Sequence, residues 1–187
     1  MPFTPAMPLL TDRLLLRTFE EGDLDALTEI ESRPEVARFL YWEPRTREQV
    51  RESLARKMTG HTLHAAGDTL TFAVVVRESG DLVGSVNLTW TSELHRQGEI
   101  GYMLNPLHEG HGYATEAVRR LLELGFGDLR LHRIIGRMEA RNSASARVLE
   151  RLGMRREAEL RENEWVKDEW QSELVYAILD REWETLR

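Results

Sequence analysis

His108-Glu109-Gly110-His111-Gly112-Tyr113-Ala114-Thr115-Glu116-Ala117 is the stretch on which the fold turns. Its two glycines let the backbone bend sharply and come close to a ligand. From there, apolar residues fall at Ala114, Ala117, Val118, Leu121, Leu122 and Gly125, the spacing of a long amphipathic helix. The first amides of such a helix lack intrahelical acceptors and lie at the positive end of its dipole. A glycine bend that opens a helix is therefore a natural cradle for an anion such as a diphosphate.

The flanks give this bend its frame. Glu99-Ile100-Gly101-Tyr102-Met103-Leu104 reads as a strand, stopped by Asn105-Pro106. Beyond the helix, Arg133 to Glu139 alternates as a second strand. Asn142 is then an N-cap for a helix ending at Leu152-Gly153. From Leu104 to Gly153 the chain thus runs strand, bend, helix, strand, capped helix. Upstream, residues 12–18 read as a strand and Leu24, Leu27 and Ile30 as a helix broken at Arg33-Pro34. Thr46 with Gln49 forms a capping box that opens a helix to about Thr59. Leu70–Val76 and Leu82–Trp90 are β-branched and alternating around the turn Glu78-Ser79-Gly80-Asp81, a hairpin with one buried face. Segments near 154–161 and 172–179 close the chain as strands. The expectation is one α/β (α+β) domain over residues 1–187, with its core at about 9–179.

At 187 residues the chain is long enough for one self-sufficient core. It contains no cysteine, which excludes disulfides, thiolate metal sites and a cysteine nucleophile, and fits a reducing, cytoplasmic setting. No apolar run approaches the roughly 20 residues of a membrane span, and Met1–Leu10 lacks the basic start of a secretory signal. The net charge of −7 argues against a nucleic-acid surface. Yet residues 105–156 carry ten Lys and Arg against six Asp and Glu, while residues 157–187 carry four against ten. One basic block, holding the glycine bend, lies within an acidic chain, and its acidic flanks would attract a cationic acceptor.

Gly110-His111-Gly112-Tyr113-Ala114-Thr115-Glu116-Ala117 resembles the acyl-CoA signature of the GNAT superfamily of N-acetyltransferases, Gln/Arg-x-x-Gly-x-Gly/Ala, with Glu109 where Gln or Arg is usual. Asn142-Ser143-Ala144-Ser145 with Leu152-Gly153-Met154, and Leu9–Arg17, resemble the branch containing ribosomal-protein alanine N-acetyltransferases. The resemblance runs from about residue 9 to 179. It implies a mixed, mostly antiparallel sheet of six to seven strands, flanked by about four helices and splayed between strands 4 and 5. It implies acetyl-CoA as donor and no metal. Backbone amides of Gly110, His111, Gly112, Tyr113, Ala114 and Thr115 would hold the diphosphate. Met103 and Leu104 would pair with the pantetheine arm, and Asn142 and Ser145 would also contact the coenzyme. A homodimer is a family expectation.

The reaction implied is direct attack of an amine on the thioester, in a ternary complex. An α-amine with a pKa near ~8 costs only about 1.4 kcal/mol to deprotonate at pH 7, against about 4.6 kcal/mol for a lysine side chain. A weak base therefore suffices for an α-amine, on a peptide N-terminus or a small molecule. By the resemblance, Glu164 is the base and Ser145 the acid toward the thiolate; Glu99, on the strand beside the coenzyme, is the rival base. Ser145 could instead merely cap its helix, and Glu164 lies in an acidic, exposed run. Tyr41, Trp42 and Trp165 are either core aromatics or walls of the amine pocket. His108-Glu109-Gly110-His111 falls one residue short of a zincin motif, and His61-x-x-His64 lacks a carboxylate at ligand spacing. The alternative to an enzyme is a non-catalytic acyl-CoA-binding module on the same fold.

Overall fold

A computed structural model describes residues 2–186. In chain order the elements begin with β1 (Leu9–Leu10), β2 (Leu14–Arg17), α1 (Leu24–Glu31), α2 (Pro34–Ala37) and α3 (Arg47–Thr59). The hairpin β3 (Thr69–Val76) and β4 (Leu82–Ser92) follows, then β5 (Gln97–Leu104), α4 (Tyr113–Glu123) and β6 (Arg133–Glu139). The chain ends with α5 (Ser143–Arg151), β7 (Arg155–Val166), β8 (Glu169–Leu179) and α6 (Asp180–Glu184). The strands form one sheet in the order β1-β2-β3-β4-β5-β6-β8-β7, antiparallel throughout except for the β5–β6 pair.

Helices cover both faces. Ala117, Val118, Leu121 and Leu122 of α4 and Leu149 of α5 bury against Phe72, Val86, Leu88 and Ile134. On the opposite face Leu27 and Ile30 of α1 and Val50 and Leu54 of α3 pack with Val75 and Leu82. The hairpin expected to bury one face is therefore covered on two, and Leu82 through Val86 are all buried. A bulge at Val74/Val75 also shifts the register, so Leu82 joins the α1–α3 cluster while Val86 and Leu88 join the other. Packing continues past Leu179: Trp183 of α6 is buried in the α4–α5 core.

Among the described residues the sheet has eight strands rather than six to seven, with six α-helices rather than about four. The additions are short elements, β1, α2 and α6, whose few residues carry too little periodicity to be read from sequence. Counting β1 also moves the splay, so the gap lies between β5 and β6. β7 and β8 are longer than expected and meet at Lys167-Asp168, both with positive φ, the geometry of a tight two-residue hairpin turn. The acidic run Glu159–Glu164 is thus part of an edge strand, and charge is one way such edges avoid pairing with other chains. Among the described residues, no helix is long and apolar enough to cross a membrane.

β4 and β5 approach so closely that an ideal Cβ on Gly84 would lie 2.2 Å from the Met103 carbonyl oxygen. Backbone cannot yield as a flexible side chain can. Gly84→Ala should therefore lower the unfolding free energy by about 2–3 kcal/mol. Urea unfolding would measure it, and an unchanged midpoint would refute so tight an apposition.

Candidate active site

β5 keeps its pairing with β4 from Gln97 to Leu104 but pairs with β6 only from Gln97 to Ile100, opposite Arg133 to Gly136. From Gly101 onward the two parallel strands separate, while β6 continues to Glu139 along β8. A backbone edge is left facing a gap, and unpaired backbone groups there call for a ligand's hydrogen bonds. The gap opens into a cavity of about 420 Å³ that passes from α5 through the sheet to α3.

At one end of this gap stands the glycine bend. Gly110 and Gly112 have φ of +80° and +77°, which L side chains rarely adopt, and Gly112 is the N-cap of α4. No amide from Gly110 to Thr115 donates to another backbone carbonyl among the described residues. Six consecutive donors at a helix N-terminus therefore remain free for an anion. The bend is clamped from the side by the β1–β2 turn. Glu116, in the first turn of α4, accepts from Thr11 Oγ1 at 2.6 Å and from the Arg13 amide at 2.9 Å. Arg13 Nε donates to the other carboxylate oxygen at 2.7 Å, and its Nη1 donates to the His111 carbonyl at 2.9 Å. The same guanidinium lies over the Tyr113 ring, which stacks on His111.

On the α5 side, Asn142 and Ser145 both line the cavity. Asn142 Oδ1 accepts the Ser145 amide at 3.1 Å, so Asn142 is the helix cap and the Ser145 hydroxyl is not. Tyr102 of β5 also lines the cavity and donates to the Ser145 carbonyl at 2.9 Å, tying α5 to β5 across the gap. Burial raises the Tyr102 pKa, so the phenol stays protonated. Sequence reasoning missed this tie; the tyrosine reads only as an alternating strand residue until the gap exists.

On the opposite face of the sheet, Glu99 of β5 is half-buried, with Arg137 Nε 3.5 Å away. Burial raises its carboxyl above the ordinary range, Arg137 opposes this and Glu173 adds to it. Arg137 Nη1 also reaches Glu173, a buried residue of β8, at 3.4 Å. Glu164 of β7 does not line the cavity; it accepts the Tyr41 hydroxyl at 2.8 Å. Tyr41 is pushed up to about 12, first by desolvation and then by that hydrogen bond. Lys167, at the hairpin tip, donates to the Ala37 carbonyl at 2.7 Å, so the β7–β8 hairpin rests at one point on α2 and at another on Tyr41 in the segment that follows it.

Of the expected aromatics, Trp42 lines the cavity and covers the Arg45 guanidinium. Tyr41 is exposed, and Trp165 is exposed against Trp170 outside the cavity. Met103 lines the cavity and Leu104 lies next to it at the end of β5. Among the described residues no group of three or more His, Asp or Glu could hold a metal ion.

Residues 13–155 match the acetyltransferase (GNAT) domain family, and the chain belongs to that family. It is an N-acetyltransferase, and enzymes of this family use acetyl-CoA. The chain is 34% identical over 177 residues to the uncharacterized N-acetyltransferase YnaD of Bacillus subtilis, covering 95% of this chain and 99% of that one. A crystal structure of a GNAT-family acetyltransferase from Bacillus anthracis superposes with a TM-score of 0.84 at 33% identity, covering 94% of this chain and 99% of that one. The spermidine N(1)-acetyltransferase of Vibrio cholerae is 25% identical over 162 residues, 87% of this chain and 90% of its own.

The Glu116 clamp has a pH signature. Burial pushes this carboxyl up, but the Thr11 and Arg13 hydrogen bonds outweigh burial and hold it below the ordinary range. A carboxyl lowered in the fold stabilises it above the unfolded pKa of ~4.5 and loses that contribution as pH falls through the folded value. Glu116→Gln should cost about 1–2 kcal/mol at pH 7, as for a partly exposed charge-assisted bond. The gap from wild type should narrow as pH falls below the unfolded value of ~4.5 and close only below the lower folded value; a deficit independent of pH would assign the loss to packing instead.

Proposed function

We propose that this enzyme transfers the acetyl group of acetyl-CoA to a primary amine, on a protein N-terminus or a small molecule, by direct attack in a ternary complex. One observation carries the reading: the free amides of Gly110–Thr115 and the unpaired edge of β5 at Met103 and Leu104 border the same gap. The amides fit a diphosphate, and the strand edge fits an arm that carries its own amides. Asn142 and Ser145 face that arm from α5. Acetyl-CoA supplies a thioester whose carbonyl is polarised by an aligned backbone donor, worth about 3–4 kcal/mol.

The protein's own residues then manage protons. Glu99 is assigned as base, because it lies on β5 beside the gap and its raised carboxyl is better matched to an amine near neutrality. Ser145 is assigned as the acid toward the departing thiolate, since its hydroxyl is released from capping by Asn142. Glu164 instead accepts the Tyr41 hydroxyl, holding the β7–β8 hairpin to the segment after α2 rather than moving a proton.

Calorimetry should show stoichiometric coenzyme A binding to the wild type, weakened at least tenfold by Gly112→Val; no heat with the wild type would overturn the reading. Glu99→Gln should lower kcat about 100-fold and leave the KM for acetyl-CoA within twofold. A base is active only when deprotonated, so the acidic limb of the kcat profile should lie above the ordinary carboxylate range and vanish in Glu99→Gln. If Glu164→Gln instead removes that limb, the two glutamates exchange roles.

A further inference from the structure

The cavity differs in charge from the chain that builds it. Glu31, Arg45, Arg56, Lys57 and Arg137 line it, four cations to one anion, in a protein of net charge −7. Three of the cations sit together at the α3 end. There Glu31, fully buried, accepts from Arg45 Nη1 at 2.6 Å and from Ser53 Oγ at 3.2 Å, and lies 3.7 Å from Lys57 Nζ. Arg56 has no carboxylate within 4 Å among the described residues. One carboxylate thus faces three cations, an excess of two positive charges. Trp42 covers the Arg45 guanidinium at 4.2 Å from its ring centroid, which holds that planar fork in place. Burial lowers the Lys57 pKa against the pull of Glu31, so this wall is poorly solvated and an incoming anion would count strongly.

Near the gap the lining carries Arg137, and two carboxylates just outside the lining reverse the sign of the local charge. Arg137 faces both Glu99 and Glu173, a net negative charge beside the proposed base. Between the two ends lie Thr71, Ser85 and Asn87, a polar floor on β3 and β4. A molecule filling this space meets three cations at one end and, at the other, Arg137 with its two carboxylate partners Glu99 and Glu173 just outside the lining.

We propose that the acceptor is a small amine that also carries a carboxylate, an amino acid or a close derivative, with its amine toward Glu99 and its carboxylate against Arg45, Arg56 and Lys57. The inference rests on the acetyl-transfer reading above and specifies its second substrate. A polyamine spanning the same space would set a second ammonium against the three cations, and an amide would leave them without a counter-charge.

The test measures thiol release from acetyl-CoA with the common amino acids, their carboxamides, spermidine and a short peptide with a free N-terminus. At least one amino acid should exceed its own carboxamide tenfold or more in kcat/KM. That preference should fall toward unity in Arg56→Gln, an exposed position on α3, with the KM for acetyl-CoA unchanged. Equal or better use of the carboxamides, spermidine or the peptide would overturn the assignment, as would a preference that survives in Arg56→Gln. Calorimetry with coenzyme A separates the two readings: coenzyme bound without an acid preference removes only this acceptor, and no coenzyme bound removes acetyl transfer as well.

Discussion

A parallel strand pair that stops after four residues organises this protein. β5 and β6 are hydrogen-bonded from Gln97 to Ile100 and then part, each held by its other neighbour, β4 or β8. The sheet continues because those antiparallel partners are long, while the opened edge keeps backbone groups that nothing among the described residues satisfies. Such groups are costly to bury unpaired, so the gap persists where water or a ligand reaches it. The groups that border the gap are placed by this separation. The glycine bend follows β5 directly, α5 follows β6 directly, and Tyr102 bonds to the Ser145 carbonyl across the opening.

Electrostatics divides along the same gap. The bend has the positive end of α4 and the Arg13 guanidinium, itself neutralised by Glu116 so that it braces the loop. Across the sheet, Glu99, Glu173 and Glu164 gather on one side of the cavity, and all three act on Tyr41. The α3 end is basic around the buried Glu31. A chain with an acidic total thus presents three local potentials of alternating sign, and a focused local field, rather than the net charge, governs which small molecule enters.

Much of this was legible in the chain because the signals are local. The capping box at Thr46 and Gln49, the Asn142 cap, the stop at Gly153 and the α4 stripe all depend on neighbours within a turn or two, and each forms as read. The bend was legible for the same reason: positive φ at Gly110 and Gly112 is a property of those residues themselves. Less was legible where tertiary contact overrode pattern. β4 alternates as if half-exposed, yet helices on both faces bury it, and the bulge at Val74/Val75 then reassigns its sides.

By itself the sequence determined the order of the longer elements, the glycine bend that opens α4 and the enzyme family, because these rest on spacing, glycine conformation and a contiguous motif. Only the tertiary structure decided which glutamate stands beside the gap. Glu164 and Glu99 are 65 positions apart in the chain and equivalent as carboxylates; packing sends one to Tyr41 and the other to Arg137 at the cavity. The basic pocket end was likewise invisible, because Glu31, Arg45 and Lys57 come from α1, the segment before α3 and α3 itself. Coulomb energy depends on distance and dielectric, and folding sets both.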